Sequence, residues 1–249
     1  MENKFSSGIR NQGLFRLIKS LAKTILNLDP SWICKWEFRH QAFVRFNERP
    51  VELNFVFRKL AEIYPRDILD VGTGTSALPH LMRNCGALVT ATDNVRDYWS
   101  AGMFNRHYHV LNDDITATRL KGNFDLITCV SVLEHVEQPD AAMQNMFSLL
   151  KPGGHLLLTF PYTENSYVRN VYELPGSSYG QGNPYITQSF SRAELNRWLQ
   201  QNRGEIIEQE YWQFWDGDHW TVGNQVIPPR KASAVDKHQV SCIHLKKKG

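Results

Sequence analysis

The sequence has few cysteines, no long apolar run and little net charge, and each shortage removes a class of function. Its four cysteines, Cys34, Cys85, Cys129 and Cys242, lie far apart with no C-x-x-C pair. That pattern provides neither a disulfide framework nor a thiolate zinc site, and reduced, mostly buried thiols are expected. No stretch approaches the ~18 to 20 consecutive apolar residues of a membrane span. The opening residues, MENKFSSGIRNQG, lack the apolar core and small-residue cleavage site of a signal peptide, so a cytoplasmic location is expected. Net charge is +3, from 28 Lys/Arg and 25 Asp/Glu, which is too small to imply a nucleic-acid partner by itself.

What remains is ordinary globular material, 42% hydrophobic and 21% charged, in a chain of 249 residues, enough for one large domain or one domain with an appendage. The charge is unevenly spread. Residues 1–64 carry 11 Lys/Arg against 6 Asp/Glu, whereas the other 185 carry 17 and 19. Within that basic quarter, Leu14, Leu17, Ile18, Leu21, Ile25 and Leu28 recur at helical spacing with Arg16, Lys19 and Lys23 off the stripe. A second, aromatic-rich helical stretch is expected over about 32–46, and a third opens near Pro50 and stops at Pro65. We therefore divide the chain into a helical extension or lid, 1–64, and a domain over 65–249.

From residue 67 the period changes. DILDV (67–71), LVTATD (88–93), HVLND (109–113), FDLITCV (124–130) and HLLLTF (155–160) are short apolar runs rich in β-branched residues. Helical stretches lie between them, at 76–84 and 139–150. Strands apolar on both faces and alternating with helices predict a doubly wound, mostly parallel α/β sheet. Residues 161–190 hold five of the nine tyrosines without periodicity and read as a substrate loop. Ser191-x-x-Glu194 is a capping box opening a helix to about Asn202, and 205–215 and 238–245 read as the last two strands.

The chemistry concentrates where the first strand meets the first helix, at Asp70-Val71-Gly72-Thr73-Gly74-Thr75-Ser76. Gly72 and Gly74 allow a tight turn and close ligand approach, and the helix start offers free N–H donors. The pattern formally fits a dinucleotide turn, with Asp93 as a ribose acceptor 23 residues after Asp70. However, Asp70 stands where a carboxylate faces a cationic aminoacyl group, and a pyrophosphate there would be repelled.

Taken together, ILDVGTGTS, the acidic end of VTATDN, NDDIT, FDLITCVSVLEHV and LKPGGHLLLTF resemble, in order and spacing, the Rossmann-like (class I) methyltransferases that use S-adenosylmethionine. The resemblance is firm over about 66–160 and looser over 190–245, and Ser76 departs from it where the family more often has a third glycine. It implies a seven-stranded sheet and a set of cofactor contacts. Asp70, Gly72, Thr73 and Gly74 would hold the methionine end, and Asp93 the two ribose hydroxyls, with Asn94 beside it. Asp114 would accept from the adenine amino group beside the Ile115 backbone, while Val130 and Ser131 line the methionine arm. For Asp113 and Asp114 the competing reading is a solvated turn.

Methyl transfer from a sulfonium needs alignment and disposal of a proton, not a covalent enzyme intermediate. Glu134-His135 follows the fourth strand at the end of the sheet where cofactor and acceptor should meet, so His135 is the candidate base with Glu134 beside it. The competing reading of His135 is a hydrogen bond to a neighbouring loop. Asp216-Gly217-Asp218-His219 has the composition of a metal site but reads better as a plain Gly-Asp loop, and no metal is assigned. The Asn/Asp-Pro-Pro-Tyr/Phe motif of amino-methylating enzymes that act on bases is replaced by Ser131-Val132-Leu133-Glu134.

The expected activity is therefore methyl transfer to a hydroxyl or amine of a small molecule or saccharide, in natural-product or cell-surface glycan assembly. A cofactor-binding but catalytically idle interaction module is the alternative. No nucleic-acid partner and no membrane span are expected, and a weak peripheral membrane contact and a homodimer are left open. For the N-terminal stripe, a lid over the sheet is the first expectation, ahead of a dimer contact and a lipid surface.

Overall fold

The computed structural model describes residues 32–43, 46–99 and 102–249; the stripe expected over 14–28 lies outside them. Two compact units are distinguished, residues 1–46 and 47–249. The division thus falls at 46/47 and not after residue 64. The reason is packing: helix α1 (Arg49–Ile63) buries Phe55, Val56 and Leu60 against sheet residues Ile68, Leu126 and Leu157. Pro50 sits in its first turn, where a missing N–H costs nothing, and Tyr64 closes it in the left-handed conformation before Pro65. In the first unit, residues 32–39 are helical.

The second unit is built on one sheet. Its strands are β1 (Asp67–Val71), β2 (Leu88–Asp93), β3 (Val110–Asn112), β4 (Phe124–Val130), β5 (Leu150–Pro161), β6 (Gly204–Trp215), β7 (Gln225–Ala232) and β8 (Val240–Lys247). They lie in the order β3-β2-β1-β4-β5-β8-β6-β7. The first five pair in parallel, with Ile68 beside Leu126 and Leu69 beside Ile127. β8 then runs antiparallel to both β5 and β6, and β7 antiparallel to β6.

The sheet has eight strands, one more than expected. The addition is β7, whose sequence QVIPPRKA hides it: Pro228 and Pro229 cannot donate to a ladder, which argues against an interior strand. β7 is the outermost strand of the order, where an unpaired side tolerates proline.

Strand alternation divides the core between two faces. Ile68, Leu126 and Leu157 meet α1 and helix α2 (Leu78–Asn84) on one side. Leu69, Ile127, Leu156 and Leu158 meet α3 (Pro139–Leu149) and α4 (Arg192–Asn202) on the other, where Met143, Met146, Phe147, Leu195 and Trp198 are buried. Emptying such a site costs about 3 to 5 kcal/mol for a Phe or Trp to Ala change. The Ser191–Glu194 capping box of α4 forms as expected.

Residues 161–190 are irregular but tied down. Tyr162, Val171 and Tyr172 are buried, and Val168 bridges Ser189. At the chain's far end, Asp216 accepts from both the backbone and the side-chain amide of Asn224, a loop closure.

Candidate functional site

A cleft of about 930 Å³ opens at the carboxyl ends of β1, β2 and β4, where a doubly wound sheet leaves room for a ligand. Of the residues singled out from the sequence, Asp70, Gly72, Thr73, Gly74, Asp93, Asn94, Asp114, Ile115, Val130, Ser131 and His135 all line it. Glu134 does not; it is buried.

The turn after β1 needs its glycines. Gly72 has φ of +70°, and a Cβ on it would lie 2.4 Å from the Val132 side chain. Gly74 has φ of +54°, and its Cβ position faces the Trp99 ring at 3.4 Å. Either position strains any L side chain.

Two carboxylates flank this turn. Asp70 accepts from Thr128 Oγ1 at 2.6 Å and Thr73 Oγ1 at 2.7 Å. Burial pushes its carboxyl up to about 6, and the nearby Asp93 adds to the rise. Asp93 Oδ2 accepts the Gly74 N–H at 2.7 Å and Oδ1 the Trp99 indole N–H at 2.9 Å. Burial raises Asp93 as well. Asp114 uses Oδ1 to cap the short turn Ile115–Ala117, accepting from the Thr116 N–H and hydroxyl. Among the described residues no hydrogen bond falls on its Oδ2, which leaves that oxygen as an acceptor.

Opposite the carboxylates stands a cation that the sequence did not single out. Arg49, at the start of α1, lines the cleft and donates to Glu52 Oε2 at 2.9 Å. Glu52 is fully buried, and its Oε1 accepts from Ser131 Oγ at 2.5 Å and Thr159 Oγ1 at 2.7 Å. Glu52 therefore fastens both the arginine and the positive-φ residue after β4, Ser131, with φ of 50°.

His135 does make the loop contact of its competing reading: Nδ1 lies 2.8 Å from the Ile186 carbonyl. That contact makes Nδ1 the donor, so the lone pair of the neutral ring is on Nε2. Burial, helped by the charge of Arg49, lowers the pKa of the ring, while the bond to Ile186 opposes the shift. Glu134 Oε1 is 3.9 Å from Nε2, beyond hydrogen-bond reach, and burial holds the Glu134 carboxyl far above the carboxylate range. Tyr185 meets the His135 ring edge to face at 4.8 Å, and Tyr98 lies 5.8 Å from Tyr185. The cleft thus joins an acid-flanked glycine turn, one cation and a neutral imidazole among aromatic rings. Arg49, Glu52, Tyr98, Trp99 and Tyr185 are additions to the sequence reading, and only the tyrosine density of 161–190 hinted at any of them.

Residues 38–220 match the methyltransferase domain family. A ubiquinone biosynthesis O-methyltransferase of Xanthomonas euvesicatoria pv. vesicatoria is 33% identical over 172 residues, spanning 64% of this chain and 70% of that protein. Among solved structures, TehB from Haemophilus influenzae superposes with a TM-score of 0.52 at 17% identity, over 86% of this chain and 66% of that one. The magnesium protoporphyrin IX methyltransferase of Synechocystis PCC 6803 with bound SAH superposes with a TM-score of 0.51 at 14% identity, over 92% of this chain and all of that one. At such identities the two superpositions bear on the fold alone.

Proposed function

Because the chain belongs to the Rossmann-like, S-adenosylmethionine-dependent methyltransferases, we propose that it methylates a hydroxyl oxygen of a small aromatic acceptor held against Tyr98, His135 and Tyr185. The residues fit the cofactor. A buried carboxylate at Asp70 suits a cationic amino group and opposes a pyrophosphate, Arg49 suits the carboxylate of the same amino-acid end, and Asp93 and Asp114 supply acceptors for ribose hydroxyls and an adenine amine. When bound, S-adenosylmethionine supplies a methyl group already activated on a sulfonium.

The chain's own residues then have two tasks, alignment and proton removal. Arg49, fastened by Glu52, and the turn at Gly72–Gly74 fix one partner. Tyr98 and Tyr185 offer ring faces to the other. His135 takes the proton at Nε2, because Nδ1–H is committed to Ile186. Glu134 acts by position, its buried carboxyl lying 3.9 Å from the imidazole Nε2.

The observation that carries the acceptor class is the aromatic wall around the proton acceptor, where Tyr185 meets His135 edge to face at 4.8 Å and Tyr98 lies 5.8 Å from Tyr185. A histidine whose pKa lies below its ordinary 6.5 is a weak base. A phenol gives up its proton far more readily than an alkyl hydroxyl, so it asks less of such a base. The O-methyltransferase activity named for the Xanthomonas relative supports oxygen as the acceptor atom. The test is methyl transfer from labelled S-adenosylmethionine to matched panels of phenols, sugars and amines. Turnover of phenols is expected; turnover confined to sugars or amines overturns the reading.

A further inference from the structure

Residues 32–43 carry an array of exposed aromatic and cationic side chains. Within the helix over 32–39, Trp32, Trp36 and Ile33 fall on one arc of about 100°. Trp36 stacks on His40 with 4.7 Å between ring centroids, and Trp32 and Trp36 are 78% and 62% exposed. Lys35 and Arg39 flank that arc on its other edge, and Phe38 and Phe43 are exposed as well. Single exposed apolar residues are ordinary, but five large ones within twelve residues are not.

Charge points to the occupant. Residues 1–46 hold eight Lys/Arg against three Asp/Glu, a net of +5, while the whole chain carries +3, so everything after residue 46 is net −2. In a symmetric contact a second copy would bring +5 against +5, and the rest of that copy offers only −2. An anionic lipid surface offers the opposite sign, and tryptophan rings with lysine and arginine beside them suit the headgroup layer, one end apolar and the other wet. The sequence over 14–28 has the same chemistry, an apolar stripe with Arg16, Lys19 and Lys23 off it. Among the described residues no helix is long and apolar enough to cross a membrane, so the contact is interfacial.

We propose that residues 32–43 dock the enzyme on an anionic lipid surface, with Trp32 and Trp36 at headgroup level and Lys35 and Arg39 facing lipid phosphates. The test is cosedimentation of the full chain with phosphatidylcholine vesicles, with and without about one third phosphatidylglycerol. Wild type should pellet with the anionic vesicles, at least about tenfold more tightly than with neutral ones, and binding should fall with salt. Trp32→Ser/Trp36→Ser should lose at least about tenfold. Lys35→Glu/Arg39→Glu should lose roughly 30-fold or more, since each cation near such a surface contributes a factor of about five. Binding of S-adenosylhomocysteine, followed by calorimetry, should be unchanged in both variants, which shows the catalytic unit folded. The proposal fails if wild type stays in the supernatant with anionic vesicles or if both variants bind like wild type. It fails equally if the variants change oligomeric state or turnover while vesicle binding is untouched, the signatures of a dimer contact and a lid.

Discussion

Trp99 donates its indole N–H to Asp93 at 2.9 Å, and the other oxygen of the same carboxylate takes the Gly74 N–H at 2.7 Å. The acceptor assigned to the ribose is therefore held by donors of the chain itself, with the Trp99 ring lying over Gly74. A ribose hydroxyl reaching Asp93 therefore competes with the indole for the lone pairs of Oδ1.

Two substitutions separate these parts. Asp93→Ala removes a charge-assisted acceptor and should weaken S-adenosylhomocysteine binding by about 10- to 100-fold, or roughly 1.5 to 3 kcal/mol. Trp99→Phe removes only the competing donor and should tighten binding by about three- to tenfold. Calorimetry on the folded variants reads both. Weaker binding by Trp99→Phe would mean that the indole stays and contacts the cofactor.

Asp70 trades stability for binding. Its carboxyl titrates at about 6 in the fold against an ordinary value of 3.8. Between those values the folded protein binds a proton that the unfolded chain has lost. The cost of ionised Asp70 thus grows from about pH 4 to pH 6 and stays constant above, at about 3 kcal/mol. Asp70→Asn should raise the stability of the protein at pH 7.5 by up to that amount, several degrees in Tm, and leave it unchanged near pH 4. The same variant should bind S-adenosylhomocysteine more weakly at pH 7.5, and the wild type should lose affinity as pH falls below about 6. Thermal melts across pH check the first statement and calorimetry the second.

For His135 the expectation is kinetic. His135→Ala should lower kcat by roughly 100- to 10,000-fold with cofactor affinity unchanged. Because burial lowers the ring's pKa, its neutral, proton-accepting form persists below pH 6.5, and the acid limb of kcat should lie under that value in wild type. Loss of the anchor to Ile186 costs stability too, about 1 kcal/mol, so kcat is measured per folded molecule. Full activity of that folded fraction would reduce His135 to the loop anchor.

The legible parts of this chain are the local ones. DILDV and FDLITCV declare themselves by being apolar on both faces, and the turn Gly72–Gly74 by needing residues without Cβ. What stayed hidden depends on distance along the chain. Glu52 meets Ser131 and Thr159 across 79 and 107 residues, and no spacing rule connects those positions. His135 reaches Ile186 across 51 residues, so the irregular 161–190 segment gave no sign of which residue would face the site. An amphipathic pattern alone groups α1 with the N-terminal helices, because it shows that a face is buried without showing what buries it. Its Phe55 and Val56 pack against the sheet residues Ile68, Leu126 and Leu157.

The Arg49–Glu52 pair yields the most selective prediction, because it separates the two ends of one ligand. Arg49 lines the cleft, with its guanidinium held by the Glu52 carboxylate and by a long contact to the Val130 carbonyl at 3.5 Å. If it faces the carboxylate of the amino-acid end, Arg49→Ala should weaken S-adenosylhomocysteine by about tenfold or more, the worth of one charge-assisted contact. 5′-Methylthioadenosine lacks that amino-acid end while keeping adenine and ribose, so its affinity should be unchanged. Glu52→Gln keeps the size of the side chain and its acceptor oxygen for Ser131 and Thr159 but removes the countercharge. It should show the same selectivity to a smaller degree, because the arginine loses its tether and not its charge. Both variants also alter the buried surroundings of Ser131, and a general loosening of the site would lower the affinity for both ligands together. A matched loss for S-adenosylhomocysteine and 5′-methylthioadenosine would therefore remove Arg49 from the cofactor site, whereas a loss confined to the first would fix which end of the cleft holds the amino-acid end of the cofactor.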